Sequence, residues 1–475
     1  MKKLKIAFIS TFLIILIIPI ALFNHKKNAV SEIDNKVLTE NPLLPGAEPV
    51  EDLTDALENF VSERIGLRDH MILGYTLAND YLFGEMVHPT YTYGKDGYVF
   101  FKMGKVKKYD EFEDAFVHML VEIKKYCDDR NIPFVFVFEP SKTSVLYDKL
   151  PEGYRYNNEW VQEFLNKLDE NEVNYVDNSG LMRSCIENDI QVFNVKYNAG
   201  HWNDMGAFYG MNAVLENLKK KIPTVHINQM DEYQITQKLN TTLPVSEFPI
   251  HEYEPIFELK NQDNIINMTE KYANEVERDH QYRHFAYFIN TDREKEKAPR
   301  ALVFQGSYIN GMGYKFLQNG FGEYISVHDY QNILNFEYYV NMFKPDCVVF
   351  DAAEYTFSDT YFSSEGMTNF KLNPLYTTLE NYDTKNMDSK VLEESSEKFT
   401  KIKAAAVDGC EYAYLLMNDD VFDMRKVLDE NDEEYWEATV LKENLSKSDA
   451  QIIQVNMNDG VKYCEYVNAA GNFIK

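Results

Sequence analysis

Residues 301–308 read Ala301-Leu302-Val303-Phe304-Gln305-Gly306-Ser307-Tyr308. The apolar run predicts a buried strand, and a serine just after such a strand is well placed to act as a nucleophile. A serine hydroxyl needs a neighbouring imidazole as base. The glycine-flanked pair His201-Trp202 offers one, so the two motifs together predict serine chemistry at Ser307.

Short apolar runs alternate with helical patterns on both sides of this stretch. Helices are predicted within 52–81, 109–123, 160–168, 204–222 and 332–343, and strands at 134–138, 173–176, 191–195, 301–304, 324–327 and 347–350. This order is typical of an α/β domain with a largely parallel sheet and flanking helices. Ligand sites of such sheets lie at the carboxyl ends of the strands, where we expect Lys142, His201 and Ser307.

An apolar run from Ile6 to Phe23 precedes the rest of the chain. As a helix it would be roughly 27 Å long, enough to cross a bilayer. An uncleaved signal anchor over residues 1–27 is favoured over a cleaved signal peptide, because no A-x-A-like site follows Phe23. The sequence thus predicts a single-pass protein of the cell membrane with its bulk outside the cytoplasm.

Composition shifts divide the remaining chain. We predict a stalk at 28–50, the α/β domain at 51–378 with an irregular, charged insertion at 223–299, a linker at 379–401, and a small β-rich domain at 402–475. The net charge of −28 argues against nucleic acid as a partner.

The sequence gives little sign of disulfides, metals or cofactors. Five cysteines with no C-x-x-C spacing do not predict a disulfide framework. His280 and His284 have i, i+4 spacing, but no Glu follows His280 as in H-E-x-x-H, so a solvated surface is the favoured interpretation. We therefore predict no metal site and no cofactor.

Several short segments resemble the SGNH-hydrolase-like family of the alginate O-acetyltransferase type. They occur in the family's order and are Glu63-Arg64-Ile65-Gly66-Leu67-Arg68, Gly94-Lys95-Asp96-Gly97-Tyr98-Val99-Phe100, Pro140-Ser141-Lys142, Gly200-His201-Trp202 with Gly206-Ala207, and Gly306-Ser307-Tyr308. The resemblance implies an SGNH-like domain that O-acetylates a secreted exopolysaccharide or cell-envelope polysaccharide. It also implies a multi-pass membrane O-acyltransferase as the partner that supplies acetyl groups.

Two departures from the family concern the catalytic residues. The family has an Asp two residues before the His and another just before the Ser, whereas this chain has Ala199 and Gly306. Asn198 is therefore the candidate for orienting the imidazole, although an amide cannot stabilise imidazolium by charge. The predicted catalytic residues are Ser307, His201 and Asn198.

The predicted substrate-binding residues are Lys142, Trp202, Tyr308 and Glu354. Two other functions stay open at this point. A carbohydrate acetylesterase would use the same residues with water as acceptor. A non-catalytic polysaccharide-binding or assembly protein of an envelope complex would keep the fold without the chemistry, and the missing Asp favours it.

Overall fold

The computed structural model describes residues 2–31, 33, 36–44, 52–104, 106–244, 246–379, 391–417, 420–429, 433–442, 450–456 and 462–468. The helices are α1 (Lys2–Ala21), α2 (Leu53–Arg64), α3 (Arg68–Phe83), α4 (Glu111–Asp129), α5 (Lys142–Val145), α6 (Glu159–Glu170), α7 (Asn178–Glu187), α8 (Asp204–Lys219), α9 (Thr269–Tyr272), α10 (Thr291–Lys295), α11 (Tyr314–Gly320), α12 (Phe336–Phe343) and α13 (Ser364–Thr368). The strands up to the insertion's end are β1 (Val30–Ser31), β2 (Lys36–Val37), β3 (Tyr91–Tyr93), β4 (Val99–Phe101), β5 (Phe134–Glu139), β6 (Tyr175–Asp177), β7 (Tyr233–Thr242), β8 (Pro249–Leu259), β9 (Ile265–Asn267) and β10 (Phe285–Asn290). The later strands are β11 (Arg300–Gln305), β12 (Glu323–His328), β13 (Cys347–Ala353), β14 (Val391–Ser395), β15 (Phe399–Ala405), β16 (Tyr412–Met417), β17 (Asp420–Leu428), β18 (Glu434–Leu441), β19 (Ala450–Asn456) and β20 (Lys462–Asn468).

A seven-stranded sheet with the order β6-β5-β13-β11-β12-β10-β9 forms the centre of the main domain. Neighbours from β6 to β12 are parallel, whereas β10 runs antiparallel to both of its neighbours. The predicted α/β class with a largely parallel sheet is confirmed. The parallel arrangement brings the carboxyl ends of β5, β11 and β13 to one edge, and this edge carries the candidate site.

The alternating sequence of β5 explains how this sheet is covered. Phe134, Phe136 and Phe138 point into an aromatic core shared with α4, α6 and α12. Val135 and Val137 point into a second core shared with α7, α8 and α11. Because successive side chains of a strand point to opposite faces, one strand serves both layers.

The N-terminal helix α1 is long and apolar enough to cross a bilayer, a property that signal sequences share. The helical stretch predicted within 52–81 is two helices rather than one. Leu67 separates α2 from α3 with a left-handed backbone, φ 62°, which a continuous helix does not allow.

The insertion predicted as irregular at 223–299 is instead largely ordered. It contains the antiparallel hairpin β7–β8 and the two strands β9 and β10 that extend the central sheet. The strand predicted at 191–195 does not form. That segment is a loop, and its backbone makes isolated hydrogen bonds where a strand would make a ladder. One of them joins Val99 N–H to the Val195 carbonyl at 2.8 Å.

The C-terminal part forms an antiparallel sheet with the order β14-β15-β18-β17-β16-β19-β20, so the β-rich character predicted for 402–475 agrees with its described residues. The predicted linker at 379–401 needs correction. Residues 380–390 lie outside the described residues, but β14 and the start of β15 fall inside the range predicted as a linker. Val391 and Phe399 are buried and recruit this segment into the sheet. Asp423 joins the sheet to the main domain through Arg130 at 2.8 Å.

The four described cysteines, Cys127, Cys185, Cys347 and Cys410, are buried. They pack as small apolar side chains.

Candidate active site

Ser307 lies at the edge of the sheet, two residues after β11 ends. A turn of helix begins at Ser307, continues as a π-helical segment over Ile309–Gly313 and runs into α11. The first backbone N–H groups of a helix have no intrahelical acceptor and carry partial positive charge. The Ser307 hydroxyl and these amides therefore lie together, as the stabilisation of an oxyanion requires.

The structure brings His201 and Ser307 together. His201 Nε2 lies 2.7 Å from Ser307 Oγ, although 106 residues separate them in sequence. Burial lowers the pKa of His201 to about 4. The imidazole is therefore neutral at pH 7, so Nε2 accepts the serine proton and can act as a general base.

Lys142 does not line the site as a free cation, in contrast to the predicted substrate-binding role. Its side chain is fully buried, and Nζ donates to the carbonyl oxygens of Val99, Val195 and Asn198 at 2.8, 3.0 and 3.1 Å. Burial lowers the pKa of Lys142 to about 7. The side chain thus ties the end of β5 to β4 and to the loop that carries His201.

Glu252 on β8 holds the same loop from the other side. Its carboxylate accepts hydrogen bonds from the backbone N–H groups of Val195, Lys196 and Tyr197 at 2.6, 2.8 and 2.6 Å. The inserted hairpin therefore fixes the approach to His201. No sequence motif points to this role, because Glu252 falls in a charged segment without a recognisable pattern.

Asn198 organises the backbone rather than the imidazole. Its Oδ1 accepts hydrogen bonds from the N–H groups of Gly200 and His201 at 3.2 and 3.0 Å. Among the residues that the structure describes, the hydrogen bond of the ring goes to Ser307 Oγ and none joins it to a carboxylate. The predicted placement of Asn198 against the ring therefore needs correction.

Trp202 and Tyr308 are both fully buried, which does not fit the predicted contact with substrate. The Trp202 ring fills the space above Gly206 and Gly210 of α8, where an added Cβ would come within 2.7 and 2.4 Å of it. Tyr308 Oη lies 2.9 Å from the carbonyl oxygens of Pro140 and of Gly200, the residue before His201. Both rings position the His201 loop.

Glu354 is also buried, and its carboxylate accepts hydrogen bonds from Ser141 N–H and from Tyr156 Oη at 2.8 and 2.5 Å. Direct substrate contact by Glu354 therefore does not fit the structure. The next residue, Tyr355, reaches the site: its Oη lies 2.6 Å from Ser307 Oγ. Burial raises the pKa of Tyr355 to about 12, so its hydroxyl is a proton donor at pH 7.

Three buried carboxyl groups lie behind the nucleophile. Asp351 accepts the Gly306 N–H at 3.0 Å, and a Cβ added to Gly306 would lie 3.3 Å from carboxylate oxygens of both Asp351 and Asp329. Glu139, at the end of β5, is buried with them, and burial raises the pKa of Glu139 and Asp351. Carboxyl groups from β5, from β13 and from the residue after β12 thus lie around the Gly306 turn.

Within the parts of the chain that the structure describes, no group of three or more His, Cys, Asp or Glu side chains is arranged to hold a metal ion. The arrangement can instead support acyl transfer. A serine hydroxyl faces a neutral imidazole, a phenol contacts the same oxygen, and helix N–H groups lie beside it. Fold and site together place a contacting Ser–His pair at the carboxyl edge of the parallel strands of an α/β domain.

One segment of this chain matches the model of a known protein family. Residues 92–246 match the family model of the SGNH hydrolase-like domain of the acetyltransferase AlgX. The resemblance to SGNH-like acetyltransferases of the alginate type is thereby confirmed. The match covers about a third of the chain and includes His201 but not Ser307. A comparison with curated proteins finds no match.

Solved structures with a similar chain path include PatB1 of Bacillus cereus, with 20% identity, a TM-score of 0.43, and 58% of this chain and 98% of that chain covered. The O-acetyltransferase domain of Pseudomonas putida AlgJ has 14% identity, a TM-score of 0.38, and 59% and 99% covered. Pseudomonas aeruginosa AlgX has 13% identity, a TM-score of 0.37, and 79% and 90% covered.

Proposed function

We propose that this chain is an extracytoplasmic O-acetyltransferase that acetylates hydroxyl groups of a secreted or cell-envelope polysaccharide through an acyl-enzyme on Ser307. The observation that carries the proposal is the 2.7 Å contact between His201 Nε2 and Ser307 Oγ. The match of residues 92–246 to an acetyltransferase family supports acetyl as the transferred group.

The reaction would proceed by double displacement. Ser307 Oγ attacks the carbonyl carbon of an acetyl donor while its proton moves to His201 Nε2. The leaving group takes this proton as it departs, and the acetyl group stays on Ser307 as an ester. A sugar hydroxyl then gives its proton to His201 and attacks the ester carbonyl. The bond to Ser307 Oγ breaks, and Oγ takes the proton back from His201, which restores the serine.

The environment of the dyad supports parts of this scheme. The helix N–H groups beside Ser307 would stabilise the oxyanion of each tetrahedral intermediate. Tyr355 Oη, 2.6 Å from Ser307 Oγ, would donate to the serine oxygen while the serine donates to His201. Without a carboxylate partner, the imidazolium is stabilised only by its surroundings, so we expect slower turnover than in a full triad.

The membrane setting belongs to the same proposal. We place α1 in the cell membrane as a single-pass anchor with the domains outside the cytoplasm. Acetyl groups would then come from a multi-pass membrane O-acyltransferase, as the resemblance implies. The missing Asp partner favours one rival, a polysaccharide-binding or assembly protein that has lost the chemistry.

The test is mass spectrometry of the full chain in detergent after incubation with para-nitrophenyl acetate. We expect one added acetyl group on the Ser307 peptide, and none in Ser307→Ala or His201→Ala. Ser364→Ala, which changes a partly exposed serine in α13, is the matched control and should react like the wild type.

An unreactive wild type would overturn the enzyme assignment in favour of the binding protein. Where the acyl-enzyme forms, its decay separates the remaining functions. Faster decay with added polysaccharide, and acetyl esters on that polymer, identify a transferase. Decay at the same rate in water alone identifies an acetylesterase.

A further inference from the structure

Helix α3 is apolar on two opposite sides, yet among the described residues protein covers only one of them. Leu73 and Leu77 pack on the cluster formed by Met86, Tyr91, Val99, Ala199, Leu243 and Phe248. The opposite side carries what we call the open stripe: Leu67 at the N-cap, then Met71, Tyr75, Ala78 and Leu82.

The open stripe is well exposed. Leu67, Met71, Tyr75 and Leu82 are 45%, 48%, 61% and 65% exposed. At 100° per residue the four side chains within α3, Met71, Tyr75, Ala78 and Leu82, fall on one narrow arc that contains no charged residue. Such a continuous apolar surface on a soluble face marks an interaction site.

The start of this stripe lies where α1 ends. Gly66 N–H donates to the Pro19 carbonyl of α1 at 2.9 Å, and Asn24 N–H donates to the Arg64 carbonyl at 2.8 Å. An added Cβ on Gly66 would lie 2.4 Å from Leu22 Cβ. The corner between α2 and α3 therefore touches the last turn of the apolar helix, at the level where α1 would leave the bilayer.

The surroundings of this corner suit a layer of lipid headgroups. A cavity of about 630 Å³ lies between the end of α1 and the corner, and its ionisable lining residues are His25, Lys26, Glu63, Arg64, Arg68, Asp69 and His70. Arg64 is paired with Glu40 and Arg68 with Asp69, whereas the exposed Lys26 is placed to face phosphate groups. Tyr75 and the neighbouring Tyr81, 89% exposed, are of the type enriched at membrane interfaces.

We propose that α3 is a membrane-contacting helix whose open stripe lies against the lipid surface next to the anchor. This inference depends on the proposed insertion of α1 in the bilayer, but not on the chemistry of Ser307. Helix α3 also packs against β3, β4 and Phe248. Contact of α3 with lipid would therefore fix the orientation of the main domain relative to the membrane.

Fluorescent probes in the full chain, reconstituted in phospholipid nanodiscs, test the proposal. In a Cys464→Ser background, single cysteines replace Tyr75, Leu82, Phe12 in α1 or Val421 in β17, and each is labelled with a nitrobenzoxadiazole dye. The four described native cysteines are buried and stay unlabelled. Nitroxide-bearing lipids then report contact with the bilayer, and aqueous iodide reports exposure to water.

We expect lipid nitroxides to quench the labels at positions 12, 75 and 82 several-fold more than the label at 421. Position 421 is exposed and lies in β17 of the C-terminal sheet. Quenching at 12 with iodide-accessible labels at 75 and 82 would overturn the inference and leave the anchor intact. Labels at 75 and 82 shielded from both quenchers would overturn it in favour of a second copy of the chain. No quenching at 12 would overturn the anchor and the inference together.

A double variant, Tyr75→Glu with Leu82→Glu, gives the matched functional control. It should reduce lipid quenching of a label at Met71→Cys while acetylation of Ser307 by para-nitrophenyl acetate stays unchanged. Unchanged quenching would contradict the contact. If Ser307 of the wild type is not acetylated, the proposed enzyme activity is refuted, and the inference of membrane contact is unaffected.

Discussion

Asp351 accepts a hydrogen bond of 3.0 Å from the backbone N–H of Gly306, the residue before the candidate nucleophile. The carboxyl group of the neighbouring strand β13 thereby holds the turn that presents Ser307. The turn itself is too tight for a second carboxylate. An added Cβ at Gly306 would lie 3.3 Å from carboxylate oxygens of both Asp351 and Asp329.

Gly306→Asp, which restores the residue found in the resembling family, should therefore destabilise this chain. The new carboxylate would be buried beside Asp351 and Asp329 without a cation, and such a buried charge costs about 3 kcal/mol. Urea unfolding measures the loss, with Gly306→Ala as the control that adds only the Cβ. Equal stability of the two variants would contradict the prediction.

Lys142→Met should destabilise the protein and abolish acetylation of Ser307. The three carbonyl oxygens that Nζ now binds would stay buried without a donor, at a cost of about 3 kcal/mol or more. The His201 loop would lose its attachment to β5. Lys149→Met, which removes an exposed ion pair with Asp96, is the matched control and should leave both properties little changed. An active, stable Lys142→Met protein would rule out this positioning role.

Acetylation of Ser307 should keep its rate to unusually acidic pH. Burial lowers the pKa of His201 from 6.5 to about 4, so the rate should stay level from pH 7 to about 5 and fall toward pH 4. Because His201 binds a proton more tightly in the unfolded chain than in the folded one, the free energy of unfolding should decrease as the pH falls from 6.5 toward 4. Burst kinetics across this range give the profile. A midpoint near 6.5 would mean that the ring is solvated or paired with a carboxylate.

Tyr355→Phe should slow acetylation of Ser307 by about tenfold to a hundredfold, at or below the lower limit of about 10²–10³ for loss of a donor at an oxyanion site. The variant removes only the hydroxyl that contacts Ser307 Oγ, so the unfolding free energy should change little. Tyr361→Phe is the control, since its ring lies 5.8 Å from that of Tyr355. Equal burst rates for the two variants would exclude Tyr355 from the reaction.

The sequence was sufficient to predict that Ser307 and His201 lie together, and to predict most of the sheet. Ser307 follows a strand of buried apolar residues, and such runs are visible in the sequence. The sequence also points to the turn Glu354-Tyr355 but not to which side chain faces the site, because the direction of side chains in the turn after β13 depends on tertiary packing. Asn198 was assigned to the ring for the same reason, whereas its amide oxygen caps two backbone N–H groups of its own loop.

The hairpin β7–β8 could not be predicted from burial patterns. Most side chains of β7 are exposed, so the strand lacks the alternation that marks one face as buried. The predicted substrate-binding residues fail for a related reason. Lys142, Trp202 and Glu354 carry polar groups suited to a ligand, but the protein itself supplies their hydrogen-bond partners.

The pairing of β11 with β13 separates the site into a fixed and an adjustable part. These strands are directly hydrogen-bonded, with Phe304 opposite Phe350, so the sheet holds the turns that carry Ser307 and Tyr355 side by side. His201 stands on a loop secured by single backbone hydrogen bonds, such as Lys142 N–H to the Gly200 carbonyl, and by the side chains of Lys142 and Glu252. Directed evolution of this protein can therefore retune the base through the loop and its two clamps without disturbing the geometry around the serine oxygen.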